Sequence, residues 1–91
     1  MVIYNKIIDK EKLQKYAVDA LPAMISNGDK KTLARSANIT QIEGIPPERA
    51  VILEFVNVEE AKIAYNSEDY QLALQKLDGG ADRFLFVIEG T

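Results

Sequence analysis

The sequence predicts an α+β fold in the order β-α-β-β-α-β, with a four-stranded antiparallel sheet and both helical segments on one face. Three observations carry the prediction. Runs rich in Val, Ile and Phe stand at 2–8, 50–56 and 83–90, and a stretch of β-type composition at 31–44. Two intervening segments repeat apolar residues every three or four positions, the spacing of a helix face. Asn27-Gly28, Gly44 with Pro46-Pro47, and Gly79-Gly80 punctuate the chain where turns are required.

"VIYNKII" (2–8) reads as the first strand and ends at Asp9, a good N-cap for a helix beginning there. Leu13, Tyr16, Ala17, Ala20, Met24 and Ile25 then form the apolar stripe of the first helix. Pro22 removes a backbone donor inside that stripe and is expected to kink the helix or divide it near Leu21. Gly28 suits a left-handed stop. In the next strand segment Leu33, Ala37 and Ile39 share one parity and Ile42 has the other, so a bulge or a bend is expected. "GIPPER" (44–49) is a turn, and "AVILEFV" (50–56) is the clearest strand.

Asn57 caps a second helical segment with Glu60 in capping-box position, and Val58, Ala61 and Tyr65 line it. Ser67, with Glu68 and Asp69 directly after it, is a fresh start signal. Tyr70, Leu74 and Leu77 restart the stripe in a new phase, so two short helices joined at a corner fit better than one long helix. Gly79-Gly80 ends them, and "RFLFVIEG" (83–90) is the last strand. The whole order is the ferredoxin-like arrangement.

The 91 residues make one domain, 1–91. The net charge is −3 with both signs interspersed, and no basic cluster exists to neutralise a row of phosphates, so nucleic acid is not expected as a partner. There is no Cys and no His. That removes disulfides, thiolate and imidazole metal sites, Ser-His-Asp catalysis and haem held through an axial His. No signal-peptide pattern or membrane-length apolar run is present, so a cytoplasmic protein without membrane association is expected.

The sheet strands are apolar on both parities: Val51, Leu53 and Phe55 alternate with Ile52, Glu54 and Val56, and Phe84, Phe86 and Ile88 with Leu85 and Val87. Helices on one face cannot cover both. The remaining face calls for a second copy, sheet to sheet, in a two-fold homodimer.

"LARSANITQIEG" (33–44), "PERAVILEFVNVEEAKIAYNSEDYQ" (47–71) and the terminal "FVIEG" (86–90) resemble the small, largely bacterial domain-of-unknown-function family numbered thirteen-thirty. The features shared are Leu33-Ala34-Arg35, Glu43-Gly44, Glu54-Phe55, Glu59-Glu60-Ala61, the Tyr65 to Tyr70 corner and Glu89-Gly90. The resemblance covers nearly the whole chain and implies a dimeric α+β barrel, in which two ferredoxin-like protomers face their sheets together and enclose a small cavity in each half. The wider superfamily includes cofactor-free monooxygenases, haem-degrading enzymes and muconolactone isomerase-like proteins. Relatives often carry an arginine late in the second helix, where this chain has Leu77 beside Lys76.

In that frame Glu54 is the candidate catalytic acid or base. If Val51, Leu53 and Phe55 contact the helices, Glu54 points into the dimer cavity, where an unpaired carboxylate has a raised pKa. The structural alternative is an ion pair with Arg35 or an exposed rim position. Arg35, read as lying on the other inner strand, is the candidate anchor for an acidic ligand through its two-pronged donor geometry. Tyr4 and Lys6 line the same cavity by parity. Tyr65 and Tyr70 are packing anchors with outward hydroxyls or, alternatively, line its mouth. The acidic pairs Glu59-Glu60 and Glu68-Asp69 sit at helix starts, where carboxylates belong without a metal. No metal or other cofactor is expected. The functions left are binding of a small acidic or aromatic ligand, a cofactor-independent monooxygenase- or isomerase-like enzyme using Glu54, and a purely structural dimer.

Overall fold

The computed structural model describes residues 1–28 and 31–91, with the side chains of Tyr4 and Asn5 outside that description. Among the described residues the order is β1 (Val2–Ile7), α1 (Lys10–Ser26), β2 (Lys31–Ser36), β3 (Arg49–Glu54), α2 (Val58–Tyr65), α3 (Glu68–Leu77) and β4 (Ala81–Phe86). The four strands form one open antiparallel sheet in the order β2-β3-β1-β4. The class is α+β and the arrangement roughly ferredoxin-like.

Each helix begins at a residue whose side chain satisfies the free N–H groups of a first turn. Asp9 accepts from the backbone N–H groups of Glu11 and Lys12 at 3.0 and 3.2 Å. Asn57 accepts from Glu60 at 2.8 Å, and Ser67 from Tyr70 at 3.4 Å. Ser67 also donates to the Ala64 carbonyl at 2.7 Å, so one side chain ends α2 and starts α3. The corner expected at Ser67 is present.

Several boundaries differ from the sequence reading. Helix α1 runs undivided through Pro22. The lost hydrogen bond falls at the carbonyl of Val18, on an exposed flank where water can replace it. Ile25 is exposed rather than part of the buried stripe, which includes Ala23 instead. Strand β2 stops at Ser36, and 37–48 has no strand. Strand β4 begins at Ala81 and ends at Phe86, short of residue 90.

The core lies between the helices and one face of the sheet. Ile3 and Leu53 point into it from β1 and β3, against Leu13, Tyr16, Ala20 and Met24 of α1, Ala61 and Ala64 of α2, and Tyr70, Ala73 and Leu77 of α3. Gly80 permits the tight joint between α3, α1 and β4. A Cβ there would stand 2.6 Å from Lys12 Cβ and 2.8 Å from the Leu77 carbonyl oxygen. Its own carbonyl accepts from Ile8 and Asp9 at 3.0 and 2.9 Å.

The opposite parity faces outward. Ile52 is 38% exposed, Val56 67%, Phe84 64% and Ile88 69%. One layer of helices therefore covers one face of the sheet, and the molecule measures only 16 Å along its shortest axis. No helix is long and apolar enough to cross a membrane, among the described residues.

Candidate functional site

Glu54 lies on the helix-free face, as parity requires, because Leu53 is buried under the helices. It is exposed at the end of β3, in register with Lys31. Lys6 is exposed on the same face, across from Asp82. Tyr4 pairs in backbone register with Ala50 and Phe84, and the cavity role expected of its side chain lies outside the described residues.

Arg35 departs from the expectation in two ways. Strand β2 is an edge strand, not an inner one. The ladder with β3 slips between Thr32 and Ala34, so Leu33 is an extra residue. In unbroken alternation Arg35 would share a face with Lys31 and Glu54. The bulge turns it to the other side, where it stands opposite Val51 on the helix face. Glu54 and Arg35 therefore do not meet within one chain. The bulge lies at Leu33, not between Ile39 and Ile42 where the mixed parity places a break, and it moves this arginine away from its expected carboxylate.

What Arg35 joins instead is a cavity of about 50 Å³ between α1 and the sheet. Its walls are apolar, from Ile3, Leu13, Met24 and Leu53 among others, and its polar lining consists of Tyr16, Tyr70, Arg35 and Arg49. Arg49 and Arg35 come from adjacent strands as diagonal neighbours, roughly 7–8 Å apart along the backbone. Neither guanidinium has a hydrogen bond or ion pair among the described residues. An arginine fork without a carboxylate, beside a recess, is fitted to a planar anion.

The buried part of the lining includes Tyr16 and Tyr70. Tyr70 has no exposed surface and Tyr16 is 7% exposed, and their hydroxyl oxygens lie 2.6 Å apart. Arg83, on the inward face of β4, donates to the Tyr16 hydroxyl at 2.9 Å and to the Tyr70 hydroxyl at 3.4 Å from each terminal nitrogen. Its guanidinium carbon sits 5.1 Å from the centre of the Tyr16 ring, a cation–π distance. Burial works against the Arg83 charge, and the two phenols outweigh it, holding the group above its ordinary value. Burial, then the neighbouring Tyr16, pushes the Tyr70 hydroxyl well above the usual tyrosine range, although Arg83 opposes them. Tyr70 is thus a proton donor throughout the physiological range.

Tyr70 lines this helix-side cleft, a different place from the dimer cavity whose mouth the sequence reading assigns to it, and its hydroxyl is buried. Tyr65 does not line the cavity. It packs on Tyr70 with ring centres 5.4 Å apart, and its carbonyl accepts from Gln71 at 2.6 Å. Three participants do not stand out as site residues in the sequence. Tyr16 reads there as core, within the helix stripe. Arg49 reads as part of the turn. Arg83 does leave a visible signal, a charge that shares parity with Leu85 and Val87 in an otherwise apolar strand.

The wider concavities on the helical surface are shallow. One crosses the α2–α3 corner between Glu59, Lys62, Asn66 and Asp69, and its polar groups already hold one another or the backbone. Neither it nor the groove between Asp19 and Lys76, which pair, gathers unsatisfied polar groups around an enclosed space.

The chain matches, over residues 1–91, the family model described as Domain of unknown function (DUF1330). No curated protein matches it.

Proposed function

Because the chain belongs to the DUF1330 family, whose description assigns no reaction, we propose its function from geometry: it binds a small organic anion in the cleft between α1 and the sheet. One observation carries this reading. Arg35 and Arg49 stand without partners among the described residues, at a recess lined also by buried phenols, in a chain whose net charge is −3. A site of positive charge kept clear of the many available carboxylates is more useful to a ligand than to the fold. The cavity admits a carboxylate or carbonyl head of a few water-sized groups, and any larger body, aromatic or aliphatic, extends through the arginine-lined mouth.

The protein works as a homodimer in this reading, with the exposed face of Ile52, Val56, Phe84, Phe86 and Ile88 covered by a second copy. That apolar face supports the dimeric α+β barrel that the family resemblance suggests. A cysteine-free chain suits a reducing, cytoplasmic setting. Glu54 then belongs to the interface, where its opposite-charge neighbour is Lys31, and the anion site does not depend on it.

Titration with propionate, monitored by calorimetry or amide shifts, tests the site. Saturable binding is expected. The double variant Arg35→Met/Arg49→Met is expected to weaken it by about tenfold to a hundredfold, the loss of one or two charge-assisted hydrogen bonds. Absence of saturable binding to the wild-type protein would refute the reading.

A further inference from the structure

The buried part of the cleft lining has a hydrogen-bonding surplus that specifies the ligand further, and the inference rests on the anion-site reading above. Two phenols supply one proton each, and Arg83 only donates. Within the network the acceptors are the two phenolic oxygens. The bond between Tyr16 and Tyr70 uses one phenolic proton, and Arg83 occupies the remaining acceptor positions on both oxygens. The second phenolic proton has no acceptor among the described residues. Whichever tyrosine carries it, that tyrosine is buried and lines the cavity. A buried donor of this kind is satisfied by an oxygen placed in the cleft.

We propose that the ligand is a short oxo acid, its carboxylate held by Arg35 and Arg49 and its keto oxygen accepting the spare proton of the Tyr16–Tyr70 pair. The network discriminates among oxygens. A ligand hydroxyl would bring a proton of its own into a group made of donors, and that proton would lack an acceptor. A second carboxylate would be buried against one available proton, because Arg83 does not line the cavity. A keto oxygen needs one donor and carries no proton. The residues that read the two ends differ: arginines of β2 and β3 at the mouth, hydroxyls of α1 and α3 inside.

The test compares matched pairs on the wild-type protein: pyruvate with propionate, acetoacetate with butyrate, and levulinate with valerate. At least one oxo acid is expected to bind about tenfold tighter than its partner, the worth of one hydrogen bond to a donor otherwise left unmade. With isotope-labelled tyrosine rings, the signals of Tyr16 and Tyr70 are expected to move with that oxo acid and not with its saturated partner. In the variant Tyr16→Phe/Tyr70→Phe the preference is expected to vanish. The labelled-ring measurement decides the matter if that variant does not fold. Equal affinity within every pair, with unmoved rings, would overturn the oxo-acid assignment and leave the anion site standing. No binding of any acid would remove both.

Discussion

Tyr70 shows how one side chain joins the fold to the site. Its ring is part of the core and packs against Tyr16 edge-on, with centres 6.1 Å apart. Its side chain lines the cleft, and its hydroxyl joins Tyr16 and Arg83. Because burial raises its pKa in the folded chain above the value of about 10 in the unfolded one, the folded state holds a proton that the unfolded state releases at high pH. The stabilisation is complete below the unfolded value and is lost as pH rises from there toward the folded one. Urea unfolding between about pH 9 and 11 should show stability falling more steeply in the wild type than in Tyr70→Phe. At neutral pH the same substitution is expected to cost about 1–3 kcal/mol, from the buried bond to Tyr16 and the two longer ones from Arg83, while Tyr16 and Arg83 remain paired. Parallel alkaline limbs for the two proteins would mean that this hydroxyl titrates alike in both states.

At the scale of elements, the bulge at Leu33 decides which face of the sheet receives Arg35. The exchange Ala34→Arg/Arg35→Ala keeps the bulge and moves the guanidinium to the outward face, opposite Ile52. The expected outcome is loss of carboxylate binding by about tenfold or more, with the circular-dichroism spectrum retained. Unchanged binding would show that Arg35 is not an anchor. The same element marks where the sequence stops being informative. The corner at Ser67 is legible because capping chemistry is local, and the inward face of β3 because a strand alternates strictly around Leu53. The bulge at Leu33 is not legible: the parity break in 31–44 falls between Ile39 and Ile42, past the end of β2, and the pairing partner that fixes a register is distant in sequence. Strict alternation therefore puts Arg35 on the wrong face. Arg49 is hidden by the prolines before it, which make it read as turn. Arg83 is masked by its neighbours, since Phe84 and Phe86 are larger and more apolar than the Leu85 and Val87 that share its parity.

In the whole molecule, the two faces of the sheet do different work. The covered face builds the cleft from residues of β1, β2, β3, α1 and α3, and the exposed face is apolar, the surface proposed to receive a second copy. Sedimentation is expected to give twice the chain mass of 10.2 kDa, and Phe84→Glu to give the single mass with its helices intact, because a charge at an exposed position harms association and not the core. A wild-type monomer at micromolar concentration would leave that face unexplained. The measurement that bears most directly on the helix-side anion site is an amide-shift map of the labelled protein titrated with propionate. The perturbations are expected to gather at Arg35, Arg49, Tyr16 and Tyr70, on the covered face. A map centred instead on Ile52, Glu54, Phe84 and Phe86 would place the ligand on the other face and contradict the proposal.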